Sequence, residues 1–340
     1  MDNKKNNNSA YINTANFTNA ETSEFYKEFI SDFPNFLVRL KQSDIGIVHL
    51  ALSVSFFIFQ LLIFTSFLNK KELFKKTCFH IIFHHGVLSC IQQICHIITA
   101  IFTILNIEDI DPLFAVIGAL LYSTYIGSVL FILLLTLNRL DIMYNISKFH
   151  VKQKEKFDVI GIIILYCCTV GLFVFYITPR FNVTFDYLTF QWEYVHSLGL
   201  DIGFEVKNKT VFISLGISFV LQMCIIGKVF SLRCYTQKKA IFVAEDIKIV
   251  IHVFLCFVTT LFLELIWDGM FFELATDGIG VIVPQILYIF SSVSNSIFVL
   301  FFVEEIRDNV IFFKYCKKNK KIKSKISVLK TRRITTEKNI

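Results

Sequence analysis

The 340-residue sequence predicts an all-α membrane protein: a seven-transmembrane helix bundle followed by a short amphipathic eighth helix. Three observations carry that prediction. The chain is 54% hydrophobic, with 39 Phe and only 4 Pro, and its 18% of charged residues collect between apolar runs. Seven of those runs reach the length needed to cross a hydrocarbon core, which is about 30 Å thick and takes about 20 residues of helix. Lys and Arg are shared unevenly among the connecting loops, as the two sides of a bilayer impose.

The elements follow in order. Residues 1–44 precede the first run, and the opening MDNKKNNNSAYINTANFTNA holds seven Asn and almost nothing that builds a core. A largely disordered extracellular segment is expected there. No apolar signal-peptide core stands at the start, so the first span is expected to act as an uncleaved anchor. The spans read Ile45–Leu68, Thr77–Leu105, Leu113–Leu137, Phe157–Thr178, Thr210–Phe230, Ile247–Phe271 and Gly280–Val303. Residues 45–303 thus make the membrane domain, and 304–340 an amphipathic helix with a basic cytosolic tail. The third span organises the rest. Its outer part bears hydroxyls, its middle is unbroken Phe, Ile and Leu, and it ends at Asn138-Arg139, where the helix leaves the bilayer. Pro112 and Pro179 fall at span edges; Pro284 falls inside the seventh and predicts a kink.

Orientation comes from the basic residues. The first, third and fifth loops and the tail hold 26 of the 34 Lys and Arg, so the N-terminus is expected outside and the tail in the cytosol. On this count Lys207 belongs to the loop after the fourth span, and no basic residue is left for the interior of any span. Glycosylation sequons at Asn7, Asn16, Asn182 and Asn208 fall on the outer side, whereas the one at Asn145 falls inside and is read as a chance match. None of the nine Cys lies in an outer loop, so no extracellular disulfide is expected. The net charge of +7 reflects the basic inner loops and carries no implication of nucleic acid.

Several side-chain groups bear on chemistry. His80, His84 and His85 have the spacing of one histidine box, but a di-iron site needs further boxes and the other histidines are isolated from one another. No metal, cofactor or catalytic set is therefore expected. Glu264 and Asp268, four apart with Trp267 beside them, are the acids assigned to a span interior. Intramembrane acids usually face the bundle centre or a water-filled cavity. Gln92, His96, Tyr122, Ser123, Tyr125, Gln285 and Tyr288 lie at similar depth, and together with Glu264, Trp267 and Asp268 they are the candidate ligand-binding residues. At the inner face Asn138, Arg139 and Asp141 end the third span. Glu245 and Asp246 open the sixth and are placed to pair with Arg139. Ile306, Val310 and Phe313 share one face of the following amphipathic helix. Cys316, beside a basic run suited to anionic lipid, is a candidate palmitoylation site.

LNRLDIMYN at the end of the third span and SNSIFVLFFVEEIRDNVI from the seventh span into the tail resemble nematode serpentine chemosensory receptors. Class x is the nearer match and class t a near alternative. The resemblance implies a G-protein-coupled receptor in sensory-neuron membranes, ciliary, with small environmental molecules as ligands and a heterotrimeric G protein as partner. Homo- or hetero-oligomers are left open. The chain departs from the better-known rhodopsin-like pattern in having Asn138 where an acid usually precedes the Arg. Asn295 is followed by Ser296 rather than proline, and no Cys pair can tether the loop after the fourth span. A seven-helix channel of the insect odorant type is the alternative, and it would place the N-terminus inside. A histidine-box enzyme is the other.

Overall fold

The computed structural model describes residues 42–107, 111–144, 151–186, 190–194, 202–235, 240–267, 282–311 and 314. Each apolar run forms one helix: α1 (Gln42–Asn69), α2 (Thr77–Leu105), α3 (Asp111–Tyr144), α4 (Val151–Ile177), α5 (Ile202–Tyr235), α6 (Ala240–Trp267) and α7 (Ile282–Phe302). A 3-10 turn at Lys71–Lys75 joins α1 to α2, and the short α8 (Glu304–Arg307) follows α7. Six of these helices are long and apolar enough to cross a membrane. The seventh, α6, is 28 residues long and includes the apolar stretch Val250–Ile266 among the described residues.

Most helices outrun the predicted spans. The apolar run measures only the part in hydrocarbon, whereas backbone hydrogen bonding continues through polar turns beyond it. α3 extends past Leu113–Leu137 at both ends, α4 starts before Phe157, and α5 starts at Ile202 rather than Thr210. That last shift brings Lys207 and Asn208 out of the loop and into a helix. Pro284 lies at the N-terminal end of α7 as described, Ile282–Phe302.

α3 runs through the centre. Residues 121–129 are buried without exception, and α3 packs on α2, α4, α5 and α6. α1 packs on α2, and α7 closes against α2 and α6. Opposite these interfaces the helices present bare apolar side chains, as on α4 with Phe157, Ile160, Ile163, Ile164, Val170 and Val174. A face of that kind is stable in lipid and not in water. The buried side chains form two clusters. One lies near the α1–α2 connection and α8, around Phe67, Leu73, Phe79, Phe131 and Ile306. The other lies at the opposite end, around Tyr122, Tyr125, Tyr176, Trp192 and Tyr288.

The link from α4 to α5 contains a two-stranded antiparallel hairpin that the sequence reading did not include. β1 (Val183–Asp186) pairs with β2 (Gln191–Tyr194), Val183 facing Tyr194 and Asp186 facing Gln191. It sits on α3 through Gly118, where an added Cβ would lie 2.4 Å from the Val183 carbonyl oxygen and 3.0 Å from the Trp192 ring. The Trp192 ring packs at 5.3 Å from Phe185 and 6.5 Å from Phe114. Tyr122 donates its hydroxyl to the Trp192 carbonyl at 3.2 Å. Aromatic packing and the Tyr122–Trp192 hydrogen bond thus help anchor this roof, in a link whose sequence has no Cys.

Candidate functional site

The end of the bundle beneath the hairpin holds a buried charge pair. Lys207, in the second turn of α5, reaches Glu264 near the end of α6, with Nζ 3.0 Å from Oε2 and side-chain exposures of 3% and 0%. Tyr125 of α3 donates its hydroxyl to the other carboxylate oxygen at 2.5 Å. Two charges out of water persist only when they are paired and hydrogen-bonded, and here three helices supply the partners. By hydropathy alone Lys207 belongs to the outer loop. The helical start at Ile202 turns it inward one turn below Gly203, whose own carbonyl accepts from the Tyr176 hydroxyl at 3.1 Å.

Aromatic rings surround the pair. Tyr125 and Tyr288 meet edge to face at 5.4 Å, and Tyr288 meets His96 at 5.0 Å. Tyr122 stands 5.5 Å from Tyr194 of the hairpin and 5.9 Å from Tyr176. Beyond His96, the Gln285 amide nitrogen bridges His96 Nδ1 and His49 Nε2, each at 3.3 Å. Toward the bundle centre Gln92 donates to Ser128 at 2.9 Å, and Gln93 bonds Ser292. Ser123 uses its hydroxyl on the Leu120 carbonyl of its own helix, at 3.1 Å. Glu264, Tyr125, Tyr288, Tyr122, His96 and Gln285 therefore come together. Trp267 ends α6, and Asp268 lies outside the described residues.

At the opposite end Arg139 is buried at 3% exposure. The Cys78 thiol of α2 is within its hydrogen-bonding reach, and His252 of α6 lies in its field. Beside it Asn138 donates to Thr77 at 3.2 Å and to Asp158 of α4 at 3.0 Å. Asp158 is itself buried. In sequence it is the second residue of a span, where an acid passes for interfacial. His252 in turn bonds Asn295 of α7 at 2.9 Å, and Gln60 of α1 bonds Ser296. Polar side chains thus continue from Arg139 into the helix contacts. Asp141 lies in the last turns of α3 and is half-buried. Glu245 and Asp246 lie in the second turn of α6, two turns from His252.

α8 is fastened to the same end. Lys248 of α6 meets Glu304 at 2.5 Å, Lys76 meets Glu305 at 2.6 Å, and the Asn69 amide donates to the Asn309 carbonyl at 3.0 Å. The Lys248 ammonium, hydrogen-bonded to Glu304, holds that carboxyl below its ordinary range. Ile306 and Val310 are buried against the bundle, while Phe313 and Cys316 lie outside the described residues.

His84 Nδ1 stands 3.0 Å from the Tyr166 hydroxyl, His80 packs on Phe74, and His85 is buried. Among the described residues no three His, Cys, Asp or Glu side chains group as metal ligands. Of the sequons, Asn182 precedes β1 and Asn208 lies within α5. Asn7, Asn16 and Asn145 are outside the described residues.

No protein-family model matches the sequence, and a comparison with curated proteins likewise gives no match. Among solved structures, the crystal structure of squid rhodopsin superposes with a TM-score of 0.63 at 11% identity, covering 80% of this chain and 86% of that one. At that identity the likeness is one of fold. The chain is an all-α membrane protein with the seven-helix architecture of rhodopsin.

Proposed function

We propose that this protein is a G-protein-coupled chemosensory receptor for small molecules, in line with its resemblance to nematode serpentine receptors of class x or class t. The observation that carries this reading is the buried Lys207–Glu264–Tyr125 unit, set beneath a hairpin roof in a rhodopsin-like bundle. Buried intramembrane charge is costly and tends to mark a functional site. In this reading Glu264, Tyr125, Tyr288, Tyr122, His96 and Gln285 surround the ligand, joined by Gln92, Ser123, Trp267 and Asp268. Arg139, buried at the other end, serves a heterotrimeric G protein. The resting state is held by pairing of Arg139 with Glu245 and Asp246, with Asn138 and Asp141 flanking it. The protein sits in the plasma membrane with its N-terminus outside, in a sensory cilium. It bears glycan on the outer side, palmitate on Cys316, and a Lys-rich tail against anionic lipid.

The test is expression with a promiscuous G-protein reporter against volatile and soluble small molecules. A saturable response lost in Arg139→Ala at matched surface expression is expected. Glu245→Gln/Asp246→Asn should raise basal signalling severalfold, since losing a partly solvated pair shifts an existing equilibrium. Normal coupling in Arg139→Ala together with unchanged basal signalling in the double variant would reduce Arg139 to a packing residue.

A further inference from the structure

We propose that the Glu264 site takes a small organic ammonium ion, and that Lys207 is a tethered competitor occupying the ammonium position in the unliganded protein. The inference rests on the receptor reading only in taking this site as the ligand site. Its basis is charge balance. Glu264 is wholly buried, with one oxygen on the Tyr125 hydroxyl and the other on the Lys207 ammonium. An anionic ligand drawing Lys207 away would leave that carboxylate in the bundle without a cation, the most costly arrangement open to the site. An uncharged ligand would leave the pair intact and find tyrosine rings already in edge-to-face contact around it. An ammonium ligand exchanges one cation for another, so the buried charge is unchanged.

The exchange also has somewhere to send the displaced group. Gly203, one helical turn of 5.4 Å above Lys207, packs on Tyr194 of the hairpin, and Phe204 and Glu205 in that turn are exposed. A lysine stem spans that distance and can carry its head group toward water. Glu264, held by Tyr125 from the central helix, has no equivalent path. The carboxylate is therefore the fixed member and the lysine the exchangeable one.

The test uses the purified full-length protein in nanodiscs. Saturable binding is measured for a series of ammonium ions from methylamine through butylamine and cyclohexylamine to 2-phenylethylamine, alongside 3-phenylpropanoate and 2-phenylethanol. At least one amine is expected to bind. Its affinity should rise at least about tenfold in Lys207→Met, because a tethered competitor acts at an effective concentration in the millimolar range. The isosteric neutral pair Lys207→Met/Glu264→Gln removes both charges, is expected to fold, and should lose amine binding. Should Lys207→Met not fold alone, its recovery by butylamine but not by 2-phenylethanol is the same result in another form. Binding of the carboxylate or the alcohol with dependence on these two residues would overturn the proposal. So would the absence of Glu264-dependent amine binding across the series. Amine binding without any reporter response would support the ligand class while removing the G-protein reading.

Discussion

Removing the ammonium of Lys207 and removing the carboxylate of Glu264 are unequal perturbations, although the two groups form one pair. Without the lysine the carboxylate stays at 0% exposure with a single hydroxyl partner. Breaking a buried pair in this way costs about 3–5 kcal/mol. Without the carboxylate, Lys207 can extend along α5 toward its exposed first turn, so Glu264→Gln should cost less. Tyr125→Phe removes one hydrogen bond to a charged group, about 1.5–3 kcal/mol. The expected order of destabilisation is Lys207→Met greatest, with Tyr125→Phe and Glu264→Gln milder. Thermal unfolding in detergent at one scan rate checks it, because membrane-protein midpoints compare only under matched kinetics. Glu264→Gln destabilising more than Lys207→Met would show that the lysine is the fixed member.

At the scale of elements, the hairpin and α8 close the two ends of the bundle by different physics. The hairpin depends on shape. Gly118→Ala would set a methyl 2.4 Å from the Val183 carbonyl oxygen, and overpacking of this kind costs about 1–3 kcal/mol. Gly171 of α4 has nothing within 4 Å of an added Cβ, so Gly171→Ala should be neutral or stabilising by up to about 1 kcal/mol. Limited proteolysis across residues 183–194 separates the two, with faster cleavage in Gly118→Ala alone. Non-permeant reductant should leave wild-type cleavage unchanged, since no Cys lies in that link. α8 depends on charge. Lys248 lowers the Glu304 carboxyl, so this link strengthens the folded arrangement above the ordinary carboxylate range and fades as pH falls through the folded-state value. On the proposed receptor function, basal signalling of the wild type should be flat in this respect from about pH 6 to 8, and Glu304→Gln should raise it modestly throughout that interval. Equal basal signalling in the two proteins would mean that the pair holds nothing closed.

For the whole molecule the decisive property is which end faces out. The excess of Lys and Arg lies in the loops on the α8 side, and the hairpin closes the other. With that side cytosolic, Asn182 beside β1 is the sequon of the α4–α5 region expected to carry glycan, alongside those at Asn7 and Asn16. Asn208, one residue past buried Lys207 in α5, is placed where an outer-membrane-leaflet helix would hide it from the glycosylating enzyme. Deglycosylation of Asn→Gln variants should therefore give a mobility shift dependent on Asn182, and on neither Asn208 nor Asn145. A shift dependent on Asn145 would invert the topology and, with it, the assignment of ligand and transducer ends.

Seven helices in this order could be read from sequence because the requirement that produces them is local. Each run must present about 20 apolar residues to hydrocarbon, and Thr77–Leu105 was placed at the ends it has in the structure. The pull of Glu264 toward the bundle interior was legible for the same reason, as an acid among Phe and Leu side chains. What only the tertiary structure decided are relations between segments. Polar turns at Ile202–Lys209 continue α5 because helical hydrogen bonds do not stop where hydrocarbon does, and that continuation turns Lys207 from a loop charge into the partner of Glu264. Asp158 received its role from Asn138 across a helix interface, and the hairpin was invisible because its strands are only four residues each and its seat is a residue of another helix, Gly118. Hydropathy is a property of one segment, whereas a buried ion pair belongs to two. It exists only after packing has removed both groups from water and left each as the other's replacement for it.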